Sequence, residues 1–183
     1  MRKSVFFFLI FSGCVFTFHS GRMLEEGEWE IGVGAVGPSG FFISKGTGNG
    51  MDAGCEVVIS HCGSLGEECE TSGVPPSWKF YMRKRLFSMG SYEFIIGNEL
   101  PYPPLLTLDF VADELEFTAK GGAVYGEHNE CKFIFCLQGA YNVRIKGLGV
   151  KPFFIFYKTP KEDNPFYSGI LTGVSFYIHG GER

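Results

Sequence analysis

From Cys131 to Ile145 the side chains alternate between apolar and polar with a period of two, over fifteen consecutive residues. The odd positions carry Cys131, Phe133, Phe135, Leu137, Gly139, Tyr141, Val143 and Ile145, and the even positions include Lys132, Gln138, Asn142 and Arg144. A period of two is the signature of a strand with one dry and one wet face. Strands of globular proteins cluster near about five or six residues, whereas a tilted strand that crosses a bilayer needs about nine to eleven. The length of the alternation therefore points toward a membrane.

The same pattern recurs along the chain. Candidate strands read at about 28–36, 39–46, 54–61, 77–87, 91–98, 105–112, 114–125, 131–145, 149–158 and 167–179, each bounded by Gly, Pro, Asn or Asp. From the third strand onward the connections alternate in size. They are long from Cys62 to Pro76, tight at Ser88 to Gly90, medium from Pro101 to Pro104 and tight near Ala112-Asp113. A medium connection then spans Gly126 to Glu130, a tight one Gly147-Leu148, and a long polar one Thr159 to Pro165. Long connections thus gather on one rim and short turns on the other, a sorting that a soluble sandwich has no reason to show.

The register can be argued locally. Closing 126–130 as a loop sets Tyr125 opposite Cys131, Ala123 opposite Phe133, Gly121 opposite Phe135 and Phe117 opposite Gly139, so apolar meets apolar throughout. A type II′ turn at Gly147-Leu148 would set Tyr141 opposite Phe154, Gly139 opposite Phe156 and Arg144 opposite Lys151. Pro152 falls on the apolar face of an inner strand, where its missing N–H calls for a bulge.

Composition narrows the class. Twenty phenylalanines, eight tyrosines and twenty-six glycines describe an aromatic, glycine-rich β protein. A net charge of −4 and pI near 5.6 give no reason to expect a nucleic-acid partner. Met1-Arg2-Lys3 followed by an apolar run from Val5 to Phe18 reads as an export signal, too short for the roughly twenty residues of a spanning helix. The expected division is residues 1–20 as signal peptide, cut near His19 to Gly21, and 21–183 as the mature domain. Phe11-Ser12-Gly13-Cys14 also resembles a lipobox, which would leave an acylated Cys14.

With the alternating strands, the glycine-rich opening from Glu30 to Gly40 and the last strand from Gly169 to His179, the chain resembles a small bacterial outer-membrane β-barrel. The resemblance implies an all-β fold, a closed antiparallel transmembrane barrel of about eight to ten strands. It also implies location in the outer-membrane lipid bilayer, a structural, surface-exposed or minor-pore role, and no cofactor. Gly173, Phe176 and Ile178 look like part of the C-terminal signal through which such barrels engage the barrel-assembly machinery. Leu171 departs from the pattern, standing where a polar residue belongs. The main alternative is a secreted or lipid-anchored soluble barrel that binds an apolar ligand inside; it demands a polar outer face and an apolar inner one.

Chemistry-bearing motifs are few. Gly32-x-Gly34-x-x-Gly37 matches a dinucleotide fingerprint as text, but Pro38-Ser39-Gly40 and a β-like run follow where a helix must start. Cys62 and Cys69 share one long connection and are the candidate disulfide, with a metal site at His61, Cys62 and Cys69 as the weaker reading. Ser175 and His179 lie on one face of the last strand about 13 Å apart, too far for proton transfer, which argues against a lipid-modifying enzyme. Glu93, Glu114, Glu116, Lys120, Lys132, Arg144 and Lys151 fall mostly on inward faces. They read as a selectivity lining or as an ion network filling the lumen, and so few strands favour the network.

Overall fold

Alternation makes each of these segments a strand, and residues that tolerate positive φ make the turns between them. A computed structural model of the chain describes residues 17–36, 39–60, 77–100, 104–125, 131–159 and 167–181. The strands are β1 (Trp29–Val36), β2 (Ser39–Gly48), β3 (Met51–Ser60), β4 (Ser77–Met89), β5 (Tyr92–Leu100) and β6 (Leu105–Ala112). They continue with β7 (Leu115–Tyr125), β8 (Cys131–Tyr141), β9 (Val143–Ile145), β10 (Leu148–Thr159) and β11 (Tyr167–Gly180). Neighbours in sequence pair antiparallel, and β11 pairs with both β10 and β1, so the sheet closes on itself. The result is a ten-stranded barrel, with β9 a three-residue continuation of β8 along β10. Closure leaves no free edge, which removes the aggregation hazard of an open sheet.

Four tight turns lie on one rim together with the start of β1 and the end of β11. Asn49 (φ 54°) with Gly50 (φ 65°), and Lys146 (φ 51°) with Gly147 (φ 85°), place both central residues in the left-handed region, as a type I′ hairpin requires. Gly90 (φ 61°) and Asp113 (φ 52°) each open a turn with a positive φ. β1, β3, β5, β7 and β10 end, and β2, β4, β6, β8 and β11 begin, at the opposite rim. The connections that the sequence reads as tight thus share one rim, and the strand ends that the longer ones join share the other.

The β7–β8 register is the one expected, with Tyr125 opposite Cys131, Ala123 opposite Phe133, Gly121 opposite Phe135 and Phe117 opposite Gly139. The β8–β10 register is not. Gly139 stands opposite Phe154, and Arg144 opposite Gly149. The reason is the turn: Lys146 accepts a left-handed φ, so the turn is Lys146-Gly147 and not Gly147-Leu148, and the register moves by an even step that leaves every side chain on its expected face. The segment 131–145 is also two strands, not one. It breaks at Asn142, whose amide leaves the ladder to donate to the Glu114 carbonyl at 2.7 Å. Pro152 lies opposite this break, between the pairs Phe153↔Ala140 and Val150↔Val143, which is how an inner strand accommodates it.

Along the wall, polar and charged side chains point inward and large apolar ones outward. Phe135 is 43% exposed and Leu108 50%, whereas Gln138, between outward Leu137 and Gly139, is 3% exposed. Glycines at inward positions make room for bulky inward neighbours: a Cβ on Gly149 would sit 2.0 Å from the Tyr177 ring. Inward apolar residues form two clusters: Ile95 and Val111 pack with Met23, and a larger group sets Phe42, Val58, Cys136, Phe153, Ile155, Leu171 and Tyr177 around Phe18. Leu171, the odd residue in the last strand, belongs to it.

The turn geometry is directly testable. Lys146→Asn should stabilise the barrel by about 0.5–1 kcal/mol, because Asn accepts the left-handed region more readily, and Lys146→Val should destabilise it by at least about 1 kcal/mol. Equilibrium denaturation of the refolded protein would show this order; a neutral Lys146→Val would contradict the turn assignment.

Candidate functional site: the filled lumen

Thr17 to Leu24 run through the lumen without regular structure, and all but Arg22 are buried. Backbone placed there needs a hydrogen-bond partner for its amides and carbonyls, because no water reaches them and no neighbouring strand is free. Side chains of the wall supply those partners. Gln138 pairs with Thr17 as a strand would, its Nε2 donating to the Thr17 carbonyl (2.9 Å) and its Oε1 accepting from the Thr17 amide (3.2 Å). The amides of Phe18 and His19 both donate to Glu56 Oε1, at 3.0 and 3.2 Å. Ser20 donates to Glu30 (3.3 Å), Gly21 to Glu116 (2.8 Å), Met23 to Glu93 (3.1 Å) and Leu24 to Asp52 (3.2 Å).

The carbonyls are met by cations and hydroxyls. Ser175 Oγ donates to Phe18, and Lys151 Nζ to His19. Arg83 Nη1 donates to Ser20 and Gly21 at 2.9 and 3.0 Å, and its Nη2 to Arg22 at 3.2 Å. The same guanidinium grips Asp52 bidentately, at 2.9 and 2.6 Å. Planar, five-donor geometry lets one Arg hold both a carboxylate and a bend of backbone, which a lysine cannot do.

Among the described residues, fully buried Glu30, Asp52, Glu56, Glu99, Asp109 and Glu116 outnumber fully buried Lys79, Arg83, Lys120 and Lys151, six carboxylates to four cations. Half-buried Arg144, 2.8 Å from Glu30, narrows the gap. The amides of the plug narrow it further, since Glu30, Asp52, Glu56 and Glu116 each accept from one or more of them. Pairs internal to the wall join Lys79 with Glu56 (2.5 Å) and Lys120 with Glu99 (2.7 Å) and, at longer range, Lys79 with Glu99 (3.6 Å) and Arg83 with Asp109 (3.8 Å). Lys151 joins the two systems, 2.9 Å from Glu116 while bonded to His19.

Ring contacts lock the middle of the plug. His19 stacks on Tyr81 with centroids 4.0 Å apart and sets Nδ1 2.5 Å from Glu56. Phe18 packs on Phe153, and a Cβ on Gly40 would come within 2.9 Å of the Phe18 ring. At the turn rim the plug passes close against the wall backbone, where a Cβ on Gly46 would come within 2.9 Å of the Leu24 carbonyl oxygen. The space bounded by Thr17, His19, Tyr81, Arg83, Glu99 and Asp109 has no volume open to a water molecule.

Of the charged residues expected at the lumen, Glu116, Lys120 and Lys151 are buried there and Arg144 is half-buried. Glu114 is not among them. The left-handed Asp113 delays β7 to Leu115, so Glu114 is the exposed second residue of the turn. The Lys132 side chain, and the residues Cys62, Cys69, His61 and His128, lie outside the described residues. Ser175 is engaged by Phe18, and His179 stands 3.4 Å from Glu30 and 3.6 Å from Glu28. Sequence reasoning passed over Glu30, Asp52, Glu56, Lys79, Arg83, Glu99 and Asp109, although most of them sit between outward apolar neighbours, as in Trp78-Lys79-Phe80 and Leu108-Asp109-Phe110. It also passed over the plug, which carries no periodic signal.

Arg83→Ala should lower stability by about 3–5 kcal/mol, since it strands buried Asp52 and three carbonyls at once. In a double-mutant cycle Arg83→Ala with Asp52→Ala should cost less than the sum of the two, measured by denaturation midpoints. Strict additivity would mean that the pair does not interact.

Comparison of the chain with family models, with curated proteins and with solved structures found no match, so its function is read from the geometry alone.

Proposed function

We propose that the chain is an outer-membrane β-barrel protein whose lumen is plugged by its own amino-terminal segment, with a structural or surface-exposed role. The observation that carries this reading is the outer wall. Exposed Ile31, Val33, Phe41, Ile43, Leu106, Leu108, Phe135, Leu137, Phe154 and Phe156 surround a lumen of ion pairs, the reverse of what a soluble ligand-binding barrel needs. Burial of backbone hydrogen bonds in a closed barrel is also the one β solution to a solvent without water.

Aromatic residues gather on the outside near the turn rim. Phe87, Phe94, Phe110 and Phe117 form a continuous row with centroid separations of 4.5, 4.7 and 6.5 Å, and Trp29, Tyr92 and Tyr141 stand at the same end. Such girdles suit the headgroup region of a bilayer. In this reading the turn rim, with the start of β1 and the end of β11, faces the periplasm and the long connections face outward. Phe176 and Ile178, both exposed on β11, are the residues offered to the assembly machinery, with Gly173 on the inner face.

The filled lumen favours a closed barrel over an open pore, and the ion pairs are assigned a structural and positioning role. Nothing in this reading calls for catalysis or a cofactor.

Cell fractionation tests the location. The protein should partition with the outer membrane and migrate faster in detergent before boiling than after. Leu108→Arg, at the middle of the outer wall, should cost roughly 2–4 kcal/mol and reduce the folded band strongly, while Leu108→Phe should leave it unchanged. Recovery as a soluble monomer without detergent, or equal tolerance of Arg and Phe at this site, would refute the reading.

A further inference from the structure

The lumen is built around Thr17 to Leu24, and that has a consequence for maturation. A leader cut at Ser20-Gly21, within the range expected from the sequence, would remove the part of the plug that is held most completely. Gln138 would lose both bonds to Thr17, and the hydroxyl of Ser175 its acceptor at Phe18. Glu56 would lose two amides and the His19 ring, keeping Lys79; Lys151 would lose the His19 carbonyl. The Phe18 ring would leave an apolar void beside Phe42 and Phe153. The new Gly21 ammonium would lie at Glu116, which its amide already meets, whereas the amides that meet Glu56 belong to Phe18 and His19 and leave with the cut segment.

We infer that Thr17–Leu24 is a permanent part of the assembled barrel, and that any leader removed on export is cut at or before the Phe16-Thr17 bond. The cut is ordinary peptide hydrolysis: water adds across the bond, the departing leader keeps the carboxylate, and the barrel keeps the new amine. The processing site is therefore fixed by what the folded lumen must retain. It lies upstream of the point where the apolar run ends in the sequence.

Two measurements on the exported protein decide this. Intact mass and amino-terminal sequencing of protein recovered from cells expressing the full chain should give a first residue at or before Thr17. A first residue at Phe18 or later overturns the inference. In parallel, leaderless chains beginning at Thr17 and at Gly21 are refolded and denatured side by side. The Gly21 form should have a folding equilibrium constant lower by at least ~100-fold, or fail to fold, because buried partners are left unpaired. Equal stability of the two forms overturns the inference as well. The outcome is separable from the membrane reading: a soluble protein that begins at Thr17 would refute the proposed location and leave the plug intact, while a membrane protein that begins at Gly21 would do the opposite.

Discussion

Irregular backbone in a dry interior has to be hydrogen-bonded by something, and in this barrel the side chains of the wall do it. From that single requirement the rest of the lumen follows. Amides need acceptors, so Glu30, Asp52, Glu56, Glu93 and Glu116 line the path of the plug. Carbonyls need donors, so Arg83, Lys151 and Ser175 face them. Charges taken out of water then need counter-charges, which accounts for the pairs of Lys79 with Glu56, Lys120 with Glu99 and Arg144 with Glu30. A network of this kind holds one conformation strongly, because removing any member strands its partners.

The outer wall follows from a different constraint, and the two meet at the alternation of the strands. An inward position serves the plug or its counter-ions; the next position outward serves an apolar surroundings. Glu116 and Phe117 are adjacent in sequence and opposite in environment, as are Arg83 and Met82. A one-residue slip of any strand would exchange them and place an ionised group outside and a phenylalanine among carboxylates. The polar network thus specifies register as well as holding the plug.

Most of the wall was legible in the sequence, since period-two alternation over long segments and turn residues at their ends determine strands, faces and rim sorting. The β7–β8 register was legible because the residues on both sides of the loop agree in character, Ala123 with Phe133 and Phe117 with Gly139. The β8–β10 register was not, because it depends on whether Lys146 or Leu148 completes the turn. Nothing short of the backbone shows that Lys146 is left-handed. Glu114 was misplaced for a related reason, one turn earlier. The plug was illegible in principle: Thr17 to Leu24 have no periodicity, and their partners on the wall lie between 10 and 157 residues away along the chain.

Amide hydrogen exchange on the folded protein tests the central claim most directly. If the wall side chains hold the amino-terminal segment in place, the amides of His19, Gly21 and Leu24 should exchange as slowly as those of the strands around them, opening only with global unfolding. Exchange of these amides within seconds, while the strands stay protected, would mean that the segment is not bound in the lumen and that the buried charges are organised by something else.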